Sequence, residues 1–359
     1  MRLIFYCLSA LLLISCKSEQ LPQDQFFEDD NAKFLYSGRT LNTAEGTKLV
    51  TSAASVRTNV YGDTVTVFLK SENEQHHYVA VELNDDHLGR FRILKDTLKF
   101  ALKKDTLNSL VIYKETEAAN GELIFNGLRA QQIEMPEENK RAKIEFIGDS
   151  ITCGMGADTS ETGCDEGEWY DQHSAYFAYG PRVARALEVD FELNCVSGMG
   201  IYRNWNDEDQ PVMAEVYPYL HLNGNHGKRA VVDKDNPPHI VSIALGTNDF
   251  SKGDGVKERA LFNSETFIDN YTAFIGSILK IYPETKIALI TSPMISKEDG
   301  ELLAETLKEI RDNFKDHHIE IFTFQQNYTR GCGSHPSLED HAMMAEEMIP
   351  FYQELLKKT

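Results

Sequence analysis

The chain has 359 residues, 42% of them hydrophobic and 26% charged, an ordinary globular balance with length enough for two domains with separate cores. Its formal net charge of -20 repels nucleic acid and anionic lipid and so argues against both as partners. Neutral partners such as a sugar polymer fit that balance.

The N-terminus carries one early charge, Arg2, then an apolar run from Leu3 to Ile14 that is too short to span a bilayer and reads as a signal peptide over residues 1–15. Leu13-Ile14-Ser15-Cys16 looks like a lipobox, the motif of bacterial lipoproteins in which the Cys is lipidated and becomes the first mature residue. The expectation is an exported lipoprotein, periplasmic or on the cell surface, touching membrane only through a lipid on Cys16. Residues 16–30 are expected to form a flexible tether, since Lys17 to Gln25 is polar with little to bury.

From residue 31 to 137, short runs of alternating β-branched and apolar residues are separated by Gly, Asn and Asp turns. Thr64-Val65-Thr66-Val67-Phe68, Tyr78 to Leu83, Phe91 to Leu94, Leu110 to Tyr113 and Glu122 to Phe125 are the clearest, and together they predict an all-β antiparallel sandwich. The Pro- and charge-rich segment Met135 to Arg141 ends it. Across residues 138–359 single hydrophobic strands alternate with amphipathic helices. Strands are predicted at Lys143 to Ile147, Val189 to Val196, His239 to Leu245, Lys286 to Ile290 and Ile319 to Phe324. Helices are predicted at Ser174 to Leu187, Phe267 to Ile281, Glu301 to Phe314 and Pro336 to Leu356. Strict alternation predicts an α/β fold with a doubly wound parallel sheet, whose active groups collect at the C-terminal strand ends.

Four strand ends carry candidate chemistry. The first closes with Gly148-Asp149-Ser150, where Gly148 permits a sharp turn and Ser150 projects toward a cleft. The second closes with Ser197-Gly198-Met199-Gly200, small residues that leave backbone N–H groups free. The third closes with Gly246-Thr247-Asn248-Asp249, where an amide side chain is a neutral donor for an oxyanion. After the last strand, Ser334-His335-Pro336 puts His335 just before a helix, where it can take a proton from Ser150. Cys153, Cys164, Cys195 and Cys332 lie in a compartment that permits disulfides, and buried free thiols or one disulfide are expected. Their spacing lacks the paired C-x-x-C arrangement of a zinc site, so no metal is expected.

The ordered blocks Gly148-Asp149-Ser150, Ser197-Gly198, Gly246-Thr247-Asn248-Asp249 and His335-Pro336 resemble the SGNH hydrolase superfamily, with its flavodoxin-like sheet, over residues 141–359. Within it, Gly148 to Gly154, Ser197 to Asn204 and Gly331 to Ser337 resemble carbohydrate esterase family 2, an acetyl xylan esterase-like group with a jelly-roll domain ahead of the SGNH domain. Tyr36-Ser37-Gly38-Arg39 and Lys114-Glu115-Thr116-Glu117-Ala118 extend that likeness into the sandwich. The resemblance implies Ser150 as nucleophile and His335 as base, with the N–H groups of Ser150 and Gly198 and the Asn248 side chain as the oxyanion hole. It also implies acetyl removal from plant cell-wall polysaccharides such as xylan and glucomannan, with no cofactor.

Two departures matter. Many relatives place an Asp shortly before the His, whereas Gly331-Cys332-Gly333-Ser334 offers no carboxylate, so a Ser–His dyad is expected with a carbonyl of Cys332 or Gly333 taking the imidazole N–H. The aromatic residue often found at the position of Ser334 is also missing. Tyr202, Trp205, Tyr217 and Tyr219 in the long segment 201–238 are the candidates to replace it, with Tyr202 and Trp205 as substrate contacts. Two alternatives stay open: an SGNH esterase for another acyl carrier such as peptidoglycan, sialic acid or lipid, and a catalytically weak glycan-binding surface lipoprotein. The sandwich is expected chiefly to pack against the other domain.

Overall fold

The computed structural model describes residues 23–357 apart from 74–75, 138–140, 208–209 and 225–226. The expected leader and the Cys16 anchor lie outside the described residues. In chain order the sandwich strands are β1 (Gln25–Glu28), β2 (Leu35–Ser37), β3 (Thr40–Thr43), β4 (Gly46–Leu49), β5 (Ser55–Tyr61) and β6 (Thr64–Ser71). They continue with β7 (Tyr78–Leu83), β8 (Asp86–Arg92), β9 (Thr97–Ala101), β10 (Asn108–Lys114), β11 (Leu123–Ala130) and β12 (Gln132–Glu134). One sheet runs β3-β4-β11-β6-β9 with β1 added along β11, and the other runs β12-β5-β10-β7-β8 with β2 added along β5. The expected tether is therefore too long: residues 25–28 already pair with β11, from Gln25 opposite Ala130 to Glu28 opposite Gly127. Phe26 and Phe27 supply the apolar content of this strand, and Phe26 meets Phe68 edge-on.

In β6 the alternation works as predicted, with Val65, Val67 and Leu69 buried and their neighbours half-exposed. In β7 and β10 it breaks down because both faces are covered. Val79 and Val81 face the sandwich core, while Ala80, Val111 and Tyr113 join a cluster with Phe146, Tyr176 and Tyr179 of the following domain. The two domains thus share a continuous apolar seam.

The second domain is a parallel sheet of β13 (Lys143–Gly148), β14 (Asp190–Cys195), β15 (Ile240–Ala244), β16 (Lys286–Ile290) and β17 (Ile319–Phe322), in the order β14-β13-β15-β16-β17. This is the flavodoxin-like doubly wound order, and its switch point lies beside β13. Six helices, α1 (Ser150–Cys153), α2 (Tyr179–Ala186), α3 (Met213–Val216), α4 (Ser264–Ile281), α5 (Lys297–Asp312) and α6 (Leu338–Lys357), complete the described residues. The α2 and α6 side chains pack on one face of the sheet, those of α4 and α5 on the other. Helix α2 starts five residues later than its periodicity predicts. Pro181 has no N–H to give and sits in a first turn, while the preceding backbone is spent on the sandwich, through Ala175 N–H to the Glu115 carbonyl and Tyr176 N–H to its carboxylate.

Candidate active site

Strand β13 ends at Gly148, where a Cβ would stand 2.1 Å from Thr152 Oγ1, so the tight turn into α1 requires glycine. Asp149 caps that helix, its Oδ1 accepting the Ile151 N–H at 3.0 Å. The turn presents Ser150, whose Oγ lies 2.8 Å from His335 Nε2.

His335 is held from the opposite side by its own loop. Gly333 and Ser334 both adopt left-handed backbone (φ 59° and 60°), which folds the chain so that the Gly333 carbonyl meets His335 Nδ1 at 3.1 Å. A carbonyl only accepts, so Nδ1 carries the proton and Nε2 offers its lone pair to Ser150. Burial holds the imidazole pKa below the usual 6.5, keeping the ring neutral at neutral pH. The acids nearest in sequence are engaged elsewhere: Asp340 accepts from Arg330 Nε and from the backbone N–H groups of Arg330 and Ser337, and Glu339 takes the Ser337 hydroxyl.

The loop is stapled from behind. Cys332 is disulfide-bonded to Cys164, its N–H donates to the Gly156 carbonyl at 2.9 Å, and Cys153 is bonded to Cys195. Two disulfides replace the expected free thiols or single bridge. Cys153 ends α1 and Cys195 ends the neighbouring strand β14, while Cys164 lies on the long loop joined to the His335 turn, neighbourhoods set by the fold and not by sequence spacing.

Asn248 Nδ2 donates to Met199 O at 3.0 Å and to Asp149 Oδ2 at 3.2 Å, joining three strand ends. Burial pushes the Asp149 carboxyl up to about 7 despite these donors. Its neighbour Asp249, raised by burial to about 6, accepts the N–H groups of Ile201, Tyr202 and Arg203 and so ties the loop after β14 to the end of β15. Gly198 has φ 76°, and a Cβ there would strike Trp205 Cδ1 at 2.5 Å. Its N–H finds no acceptor among the described residues.

Of the predicted aromatic contacts, Trp205 stays at the site. It is 46% exposed and walls a cleft of roughly 260 Å³ with Gly198, Asn204, Asn206, Asp207 and Gln210. Tyr202 does not: its ring packs edge-on against Phe262 and Phe267, and its hydroxyl accepts the Asn263 N–H. Tyr217 is buried with its hydroxyl on Glu145. Sequence reasoning missed Trp169, 47% exposed and edge-on to His173, and the buried pair His173–Glu117. The signal for Glu117 was present, because Lys114-Glu115-Thr116-Glu117 puts three charges in four residues at the end of a core strand, and all four are buried.

The GDSL-like Lipase/Acylhydrolase family matches residues 144–348, and the Carbohydrate esterase 2 N-terminal family matches residues 36–136. The chain is 29% identical over 334 residues to the Cellulase/esterase CelE of Acetivibrio thermocellus, covering 89% of this chain but 39% of that one. It is 27% identical over 248 residues to an Acetylxylan esterase / glucomannan deacetylase of Cellvibrio japonicus, covering 67% of each. A family two carbohydrate esterase from Clostridium thermocellum, solved with cellohexaose, superposes with TM-score 0.77 at 26% identity over 90% of this chain and 99% of that one. The chain therefore belongs to the GDSL-like lipase/acylhydrolase family, in the two-domain form that carries a carbohydrate esterase 2 N-terminal domain.

Proposed function

We propose that this protein is a serine esterase that removes O-acetyl groups from plant cell-wall-type polysaccharides such as xylan and glucomannan. The observation that carries the proposal is the relay Ser150 Oγ to His335 Nε2 at 2.8 Å and His335 Nδ1 to Gly333 O at 3.1 Å. It supplies a nucleophile, a neutral base and an orienting group in one line. Ser150 Oγ attacks the acetyl carbonyl carbon as its proton passes to Nε2. The oxyanion is held by the N–H groups of Ser150 and Gly198 and by Asn248, whose longer bond to Asp149 yields to it. Collapse breaks the bond to the sugar oxygen, which takes the proton from Nε2. Water, deprotonated by the same nitrogen, then releases acetate from Ser150.

The acetylxylan esterase / glucomannan deacetylase named in Cellvibrio and the cellohexaose bound to the Clostridium neighbour support a polysaccharide substrate. The open cleft beside Trp205, rimmed by Asn206, Asp207 and Gln210, suits a neutral sugar: a flat ring to stack on and amides and a carboxylate for hydroxyls. The proposal includes export and anchoring through Cys16, for which Leu13-Ile14-Ser15-Cys16 is the support. The test is acetate release from acetylated xylan, glucomannan and peptidoglycan by wild type and Ser150→Ala. Release from xylan or glucomannan that vanishes in the variant is expected. Undiminished release by the variant overturns the mechanism, and release from peptidoglycan alone overturns the substrate.

A further inference from the structure

The sandwich sends a carboxylate to the edge of the other domain's catalytic cleft. Glu117 follows β10, its side chain has no exposed surface, and its two oxygens are both engaged across the seam. Oε1 meets His173 Nε2 at 3.0 Å, and Oε2 accepts the Ser197 N–H at 2.7 Å. Ser197 directly precedes Gly198. Binding the first of these two successive N–H groups fixes the Val196–Ser197 peptide, the unit just ahead of the one that carries the Gly198 N–H, which is itself left without an acceptor among the described residues.

The sandwich also holds the two ends of this linkage. Lys114 Nζ, fully buried, donates to three carbonyls, those of Val50, Thr116 and Glu117, which fixes the backbone that carries the carboxylate. Arg90 of β8 donates from Nε to the His173 carbonyl at 3.1 Å and from Nη2 to the Asp171 carbonyl at 2.6 Å. A buried charge is an expensive way to join two domains when apolar packing serves, and Ala80, Val111 and Tyr113 already supply that packing. The charge-assisted bond to a single main-chain N–H supplies direction, which packing does not. Burial alone would raise the Glu117 carboxyl, but His173 and the Ser197 N–H more than offset it and hold it ionised.

We propose that Glu117 is a positioning residue for the oxyanion hole, supplied by the N-terminal sandwich, which aims the Gly198 N–H by holding the preceding Ser197 N–H on one oxygen while His173 holds the other. The inference rests on the esterase reading for its catalytic consequence and on geometry alone for the restraint itself. It makes the sandwich a working part of the active site.

The reach of the side chain separates positioning from charge. Glu117→Gln keeps both contacts, with its oxygen on Ser197 and its amide on His173, whose Nδ1 has no partner among the described residues and is free to take the ring proton. Glu117→Asp keeps the charge and shortens the reach by one methylene, so it cannot span both partners. The experiment measures kcat and KM of the full chain on p-nitrophenyl acetate, which has no glycan to bind, and the amide hydrogen exchange of Ser197. Glu117→Gln should stay within about 3-fold of wild-type kcat. Glu117→Asp and Glu117→Ala should lose roughly 10–100-fold in kcat with KM little changed, less than outright loss of an oxyanion donor, and their Ser197 amide should exchange faster. Wild-type kcat in folded Glu117→Asp overturns the proposal, and if Glu117→Gln alone loses rate it means that charge matters and reach does not. A loss in Glu117→Gln equal to that in Glu117→Asp also overturns it, since a side chain that keeps both contacts should keep the rate. Should Glu117→Ala not fold, the Gln and Asp pair decides. Should wild type fail to hydrolyse the ester, the esterase reading falls, and Ser197 exchange unchanged in Glu117→Asp then overturns the restraint by itself.

Discussion

The imidazole of His335 is oriented by the carbonyl of Gly333, two residues earlier in its own loop, at 3.1 Å from Nδ1. The two consecutive left-handed residues, Gly333 and Ser334, make that short-range contact possible. A carbonyl fixes the tautomer as a carboxylate does but stabilises the imidazolium less. On the proposed mechanism the base is therefore well aimed and weakly basic.

The pH dependence of kcat/KM follows. His335 acts only when neutral, and burial holds its pKa below 6.5, so activity should fall away only as the pH drops through that lowered value and should be level from there into the alkaline range. A pH profile on p-nitrophenyl acetate measures it. An acid limb centred above 6.5 that persists in Asp149→Asn, which removes the buried carboxyl raised to about 7, would point to a carboxylate partner for the ring.

Asn248→Ala removes the side-chain donor. Loss of one such donor lowers kcat by about 10²–10³-fold. Asp149 retains its bond to the Ile151 N–H, so the fold should survive. Thermal unfolding together with kcat checks both halves, and a folded variant with kcat within a few fold of wild type removes Asn248 from the oxyanion hole.

The Cys164–Cys332 bridge closes a span of 168 residues and anchors the turn ahead of His335. Cys164→Ser should lower stability by about 2–4 kcal/mol and also reduce kcat, because the Gly333–Ser334 turn loses its anchor. Denaturant unfolding and turnover under matched conditions test this. Lost stability with intact kcat would show that the hydrogen bonds of Cys332 N–H to the Gly156 carbonyl and of Gly331 N–H to the His335 carbonyl (2.7 Å) are enough to hold the turn.

Trp205→Ala should separate small from polymeric substrates. An aromatic platform contributes about 0.5–1.5 kcal/mol, so KM on acetylated xylan should rise roughly 3- to 10-fold while kcat/KM on p-nitrophenyl acetate changes little. The main-chain bond from Trp205 N–H to the Gly198 carbonyl survives the substitution. Equal losses on both substrates would mean that the ring supports Gly198 and does not bind sugar.

Much of the molecule was legible because its signals are local. Alternation in Thr64 to Phe68 located β6, the hydrophobic run at Lys143 to Ile147 located β13, and βα alternation predicted a parallel sheet. Ser150, Gly198, Asn248 and His335 could be singled out since each sits at a strand end or before a helix, where such folds gather their chemistry. Where a residue's role depended on what covers it, local pattern failed. Tyr202 and Trp205 are three residues apart on the same loop, yet one ring is packed on Phe262 and the other faces the cleft. Nothing in the spacing of the cysteines distinguishes Cys164–Cys332 from the other pairings.

Two-domain architecture, the order of elements, the three strand-end residues and the His before the last helix could be read from the chain alone, because periodicity and turn chemistry are properties of adjacent residues. Only the tertiary structure decided which carbonyl holds His335, which cysteines pair, and that Glu117 crosses from the sandwich to Ser197, 80 residues away. Those contacts are made by surfaces that meet only after both domains have folded, and hydrogen bonds of about 3 Å are too short in range to be read from distances along a chain.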